Sequence, residues 1–295
     1  MARIDVRKTY KLYIGGAFPR SESGHSYEVQ DSKGKFVANA AKASRKDVRD
    51  AVVAARKAFP GWAGRTAYNR AQILYRIAEV MEDRRPQFVQ AVQQSEGPST
   101  GSGRAAAAAG RQVDEAIDRL VWYAGWADKL GQVVGNANPV AGPFFNHSAP
   151  EPTGVVGVLA PQASSLLGLV SVVAPVIVTG NTSVVVSSYS RPLPAVTFAE
   201  VLATSDVPGG VVNLLTGDAA TLGPWLAAHM DVNAIDLTGI AGDEETATAL
   251  EVAAADNLKR VRRAPAAEPS WADAPALATM TDFVETKTVW HPIGV

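Results

Sequence analysis

The side chains able to carry chemistry in this sequence are few and far apart. Cysteine is absent, which removes thiolate nucleophiles, thiolate metal ligands and disulfides together. The four histidines, His25, His147, His229 and His291, include no close pair at metal-ligand spacing, so ordinary surface or hydrogen-bonded positions are favoured over a metal centre. Ser164-Ser165 and Ser187-Ser188 offer hydroxyls, but neither pair sits in a Gly-x-Ser-x-Gly elbow. A helix start and a strand end explain them more simply. Lys259, Arg260, Arg262 and Arg263 form a local basic cluster, while the whole chain balances 28 Lys+Arg against 29 Asp+Glu. The cluster therefore reads as a solvated strand end, with no general field to gather nucleic acid or an anionic membrane.

The elements that position these groups are organised around Glu151 to Arg191, a stretch with no charged residue between its ends. Gly154 to Ala160 is a β-branched run ended by Pro161, Leu166 to Val178 is apolar nearly all round, Gly180-Asn181 is a turn, and Thr182 to Val186 is β-rich again. This is a βαβ unit with both strands buried on two faces, as in a parallel sheet covered by helices. Pro161, Pro175 and the Gly180-Asn181 turn cut the run into pieces shorter than the roughly 20 residues a membrane span needs. Beyond it the pattern predicts a helix from Pro194 to Thr204, a strand from Val211 to Leu215, a helix from Leu222 to Met230, a strand from Ala234 to Leu237 and a helix from Asp243 to Ala255. Strands alternating with helices from 154 to 261 predict an α/β fold with a doubly wound parallel sheet.

Before this unit, Tyr10 to Pro19 and Ser26 to Gln30 read as extended, Ser44 caps a helix with Val48, Val52, Ala55 and Phe59 on one face, and a second helix runs from Ala67 to Arg85 until Pro86. Gly97 to Gly110 starts as a small-residue loop whose alanines begin a helix continuing through Trp122. A projecting hairpin fits residues 131–153. Residues 262–280, rich in Pro and Ala and without apolar period, read as a linker, and residues 281–295 contain an alternating strand. An isolated strand after a linker must pair with an earlier one or with another chain. The first residues, MARIDVRKTYKLYIGG, hold no apolar core of signal-peptide length, so a cytoplasmic protein is the expectation.

Several of these segments resemble the NAD(P)-dependent aldehyde dehydrogenase superfamily. YIGGAFP at 13–19, AARKAFPGW at 54–62, YAGWADK at 123–129, EPTGVVGVLAP at 151–161, APVIVTGNTSVVV at 174–186, VPGGVVNLLTG at 207–217, DLTGI at 236–240 and AADNLKRV at 254–261 follow one another in that family's order. FVETKTVW at 283–290 is similar to the family's last strand, which belongs to its oligomerisation sheet. The resemblance implies a Rossmann-like cofactor domain over 1–261, including the oligomerisation hairpin, and a C-terminal oligomerisation strand. Between Val261 and Phe283, where the family has its catalytic domain, stand only linker-like residues.

The resemblance also implies what the site residues should be, and this sequence departs from them. The family's Pro-Trp-Asn-Phe-Pro segment, whose Asn amide helps hold an oxyanion, falls on Pro161, Gln162, Ala163, Ser164 and Ser165. The ribose-binding Lys falls on Ser187 and the acid that follows it near Ser190. The pyrophosphate turn falls on Gly239, Ile240, Ala241, Gly242, Asp243 and Glu244, placing carboxylates where phosphate would approach. The general-base Glu has no counterpart, and the acyl-enzyme step has no thiol. Ser187, Gly217 and Gly239 are at best vestigial cofactor contacts, and each glycine also suffices as a turn.

The expectation is thus a non-catalytic subunit, with NAD or NADP binding weak or lost and no metal. It would assemble through Phe283, Val284, Thr286, Thr288, Val289 and Trp290 with a full-length active aldehyde dehydrogenase as a hetero-oligomer. The alternative is an NAD(P)-dependent aldehyde oxidoreductase with a residual or shared active site. A small-molecule sensor using the old crevice, lined by Ser187, Ile240 and Ala163, ranks below both.

Overall fold

The computed structural model describes residues 8–97 and 103–294. The chain opens with β1 (Thr9–Tyr10), β2 (Ser26–Gln30) and β3 (Phe36–Ala41), followed by the helices α1 (Arg45–Ala63), α2 (Ala67–Asp83), α3 (Arg85–Glu96), α4 (Gly103–Trp126) and α5 (Leu130–Val134). A hairpin of β4 (Asn136–Asn138) and β5 (Phe144–Pro152) leads to β6 (Val155–Leu159), α6 (Leu167–Val178), β7 (Thr182–Val186), α7 (Leu193–Leu202), β8 (Val212–Leu215), α8 (Ala219–Ala227) and β9 (Ala234–Asp236). The last elements are α9 (Glu244–Ala255), β10 (Arg260–Arg262), α10 (Ala278–Thr281) and β11 (Val284–Pro292). Among the described residues no helix is long and apolar enough to cross a membrane. The loop expected at the start of 97–110 falls mainly on 98–102, outside the described residues.

The central sheet has the order β10-β9-β6-β7-β8 and every pair in it is parallel. Side chains alternate across it: Val156, Val158 and Val185 enter a core with α2, α4, α6 and α7, while Val155, Leu159, Val184 and Val186 enter a second core with α1, α8 and α9. Helices on both faces leave all five residues of β6 and of β7 buried, which is why those strands lack polar alternation. All twelve residues of α6 are buried as well. At the start of α1 the Ser44 hydroxyl accepts the amides of Lys46 and Asp47, and the Asp47 carboxylate accepts the Ser44 amide in return.

Four sequence expectations change. The strand β3 is not anticipated, because FVANAA shows alternation only through small residues. The helix expected at Leu222–Met230 lies one turn earlier, since Asp218 caps it by accepting the amides of Ala220 and Thr221, and Met230 is left exposed. Residues 262–280 are no free tether: Arg262 pairs in β10, Met280 of α10 is buried, and residues between them bond to the core. The terminal strand does not expose all its apolar residues, since Phe283 and Val284 are only 2% and 8% exposed and Phe283 joins the main core.

From Glu285 onward β11 is exposed on both faces. It pairs antiparallel with β5 from Val284↔Pro152 to Pro292↔Phe144, and β4 lies on the other side of β5, so this three-stranded ribbon ends in the β11 edge. Asn181 ties the ribbon's root to the sheet. Fully buried, it accepts the Gly154 amide at 2.8 Å and donates to Phe283 O at 2.8 Å and Thr179 Oγ1 at 3.0 Å. Asn181→Ala would leave the buried Gly154 amide unpaired and remove one of the two hydrogen bonds that Phe283 O accepts, and is expected to cost about 2 kcal/mol in urea unfolding. An unchanged midpoint would show that this side chain does not anchor the ribbon.

Candidate functional site

In chain order β6 comes first, the connection through α6 places β7 on one side of it, and later connections place β9 on the other. The carboxyl ends of β6 and β9 therefore flank the topological switch point, where open α/β sheets bind ligands. Four segments surround this place: Ala160 to Ser165 after β6, Ser187 to Arg191 after β7, Thr216 to Asp218 after β8 and Thr238 to Asp243 after β9.

Gln162 joins two of them. Its Nε2 donates to Ala160 O at 2.7 Å, its Oε1 accepts the Tyr189 amide at 3.0 Å, and its carbonyl accepts the Ser188 hydroxyl at 2.8 Å. Ala163 has only its backbone to offer. Its amide and that of Ser164 donate to the two carboxylate oxygens of Glu268, each at 2.9 Å. The next amide, of Ser165, and its hydroxyl both reach Glu96 Oε1 at 2.5 Å. Three successive amides ahead of α6 thus face carboxylates of the chain itself, an arrangement suited to anions.

Ser187 is 1% exposed, and its hydroxyl has no hydrogen-bond partner among the described residues although its amide donates to Leu215 O at 3.0 Å. It lies at the end of β7 but inside the protein. Gly217 has φ +157, and a Cβ there would come within 2.9 Å of Leu222 Cδ1. Gly239 sits where the turn after β9 presses on β6: a Cβ would lie 2.2 Å from Ala160 O and 2.6 Å from Leu159 O. Close backbone approach is sufficient reason for glycine here.

At the N-terminus of α9 the Thr246 amide is engaged by the cap and carboxylates fill the first turn. Asp243 accepts the Thr246 amide at 3.0 Å, and hydrogen bonds from Thr246, side chain first and then backbone, hold its carboxyl below the usual range. The amides of Gly242 and Asp243 donate to Pro265 O and Ile240 O, and Glu244 and Glu245 fill the first turn. Ile240 is 6% exposed and belongs to the core under α8 and α9. A cleft of about 440 Å³ lies between this turn and residues 263–266, with Asp243, Glu244 and Glu251 on its wall and Arg263 bonded to Glu251 at 3.0 Å. A dinucleotide pyrophosphate is held by free amides and positive potential at a helix start; here Asp243, Glu244 and Glu245 place three carboxylates at that start.

Three residues essential to this arrangement were missed by sequence reasoning. Glu96 and Glu268 act across long stretches of chain, and no local pattern marks them. Asp236 lies within the DLTGI motif, where its apolar neighbours gave the only hint of burial. It is fully buried; Oδ1 accepts the Thr238 amide at 2.9 Å and hydroxyl at 2.5 Å, while Oδ2 has no hydrogen bond among the described residues and faces Arg262 at 3.6 Å. Burial pushes its carboxyl up. Arg262 also lies 3.6 Å from Asp282, linking the end of the sheet to the root of the ribbon.

Residues 18–266 match the family model described as "Aldehyde dehydrogenase family". Among curated proteins, cytosolic aldehyde dehydrogenase 1 of Elephantulus edwardii is 32% identical over 266 residues, covering 88% of this chain and 51% of that protein. Among solved structures, HpcC from Thermus thermophilus superposes with TM-score 0.79 at 29% identity, covering 86% of this chain and 47% of that one. An NAD+ complex of aldehyde dehydrogenase from Bacillus cereus gives 0.78 at 25% identity, covering 86% and 50%. The chain spans about half the length of the curated relatives it matches.

Proposed function

Because this chain belongs to the aldehyde dehydrogenase family, we propose that it is a non-catalytic member of it, one that assembles with a full-length, thiol-bearing aldehyde dehydrogenase and supports or regulates that partner. The catalytic half of the reading rests on chemistry. The sequence has no cysteine, Ala163 has no side-chain donor, and the start of α9 carries the carboxylates of Asp243, Glu244 and Glu245. Acyl transfer from an aldehyde needs a nucleophile and a stabilised oxyanion, and neither is supplied here.

The observation that carries the assembly half is the β11 edge. Phe283 O accepts the Thr153 amide and the Ile293 amide donates to Pro143 O, so the odd-numbered residues direct their backbone groups toward β5. By the antiparallel alternation, Thr286, Thr288 and Trp290 direct theirs outward. A nine-residue strand exposed on both faces, with one edge unpaired among the described residues, is a template for another strand. The partner we propose is the sheet edge of an aldehyde dehydrogenase catalytic domain. Affinity-tagged chain co-expressed with a full-length aldehyde dehydrogenase from the same source should retain it through size exclusion; elution of each protein alone would refute the assembly.

The cofactor half has a separate test. Calorimetric titration of this chain with NAD+ or NADP+ is expected to give no micromolar binding, that is, less than about 8 kcal/mol of binding free energy. A micromolar Kd for either would overturn the non-catalytic reading and favour an enzyme with a shared site.

A further inference from the structure

The segment between β10 and α10 crosses the mouth of the crevice and is fastened there by side chains that no sheet or helix requires. Glu268 is the first fastening, with its two oxygens on the amides of Ala163 and Ser164 at 2.9 Å each and Oε1 also accepting Trp271 Nε1 at 3.0 Å. Arg119 is the second. This arginine of α4 is 8% exposed; it donates to Ser171 Oγ of α6 at 2.9 Å and to the carbonyls of Trp271 and Asp273 at 2.8 Å each. Trp271 and Leu277 are partly buried against the main core. Beneath the strap a cleft of about 380 Å³ is walled by Glu96, Gln112, Glu115, Ala163, Leu167 and Trp271, and the amide oxygen of Gln112 is buried there without a partner among the described residues.

We propose that residues 263–277 are a displaceable strap, that Glu268 is an internal carboxylate ligand of the Ala163 and Ser164 amides, and that a free organic carboxylate competes for the same seat. The seat is more than a helix start. Two amides converge on one carboxylate, the Arg191 guanidinium bonds Ala163 O beside them, and an anion of the chain already sits in it. Carboxylate charge attracts convergent amides, and its hydrogen bonds are stronger than neutral ones. Without regular structure of its own, the segment has Glu268 as its hold on the Ala163–Ser164 loop, and when Glu268 lets go the Arg119 bonds to Trp271 and Asp273 still tether its far end.

The test uses the full chain with Glu268→Gln and Glu268→Ala, amide exchange at Ala163 and Ser164 read by NMR or mass spectrometry, and acetate as the probe. Wild type should show both amides protected at least about tenfold more than Glu268→Ala, with Glu268→Gln between them. Strap peptides should exchange faster in the alanine variant while peptides of β6 and β7 remain unchanged, which establishes that the variant is folded. Acetate at millimolar concentration should restore protection at Ala163 and Ser164 in Glu268→Ala and have no effect on wild type at that concentration. Equal protection in wild type and both variants, or no response of Glu268→Ala to acetate, would overturn the proposal. If Glu268→Ala loses the core protection of β6, the comparison moves to Glu268→Gln, where unaltered strap exchange would overturn it equally.

Discussion

Thr288→Pro is expected to abolish co-elution with a full-length aldehyde dehydrogenase while leaving this chain folded. The Thr288 amide points away from β5, so proline there removes an outward donor from the middle of the edge and leaves the inward bonds of Lys287 and Val289 in place. Proline is tolerated on an edge strand where the missing N–H faces solvent, and it blocks pairing with an incoming strand. Losing the central bond and the flanking register should weaken association by about 100-fold or more, roughly 2.7 kcal/mol. Lys287→Pro supplies the contrast, because its amide faces β5 and the ribbon itself should fray. Size exclusion with the partner and thermal melting of the chain alone separate the two outcomes; retention of the partner by a folded Thr288→Pro chain would contradict pairing through this edge.

Gly239→Ala should have the largest effect on stability. The added methyl would stand 2.2 Å from Ala160 O and 2.6 Å from Leu159 O, both backbone atoms, so relief requires β6 and the turn after β9 to part. A cost of about 4 kcal/mol or more is expected, read as a large fall in the urea midpoint or as insoluble product. Gly61→Ala in α1 is the control: nothing lies within 4 Å of a Cβ there, and alanine in a helix is favoured by about 1 kcal/mol. A Gly239→Ala chain as stable as Gly61→Ala would mean that the crevice is not closed by this contact.

Much of the fold is legible in the sequence because burial on both faces writes itself into composition. The uncharged run around Val155 to Val186 gave β6, α6 and β7 nearly to the residue, and Ser44 with Asp47 gave the start of α1. The terminal strand was legible as a strand, but alternation alone could not say that Phe283 and Val284 turn into the core while Thr286, Thr288, Val289 and Trp290 stay outside it. Nor could composition reveal what residues 263–277 do. Pro- and Ala-rich sequence states only that no regular element forms; Glu268 finds Ala163 and Ser164 about a hundred positions away, and such pairing depends on where two loops meet. At the crevice the substituted residues, Gln162 and Ala163 among them, were visible by comparison with the family pattern, while the carboxylates that engage the amides of that loop, Glu96 and Glu268, were not.

Native mass spectrometry of this chain co-expressed with a full-length aldehyde dehydrogenase, with and without Thr288→Pro, tests the central claim most directly. The account predicts a species whose mass contains both polypeptides in fixed ratio, disappearing in the variant. Two separate populations, with this chain found only alone or with its own copies, would contradict it.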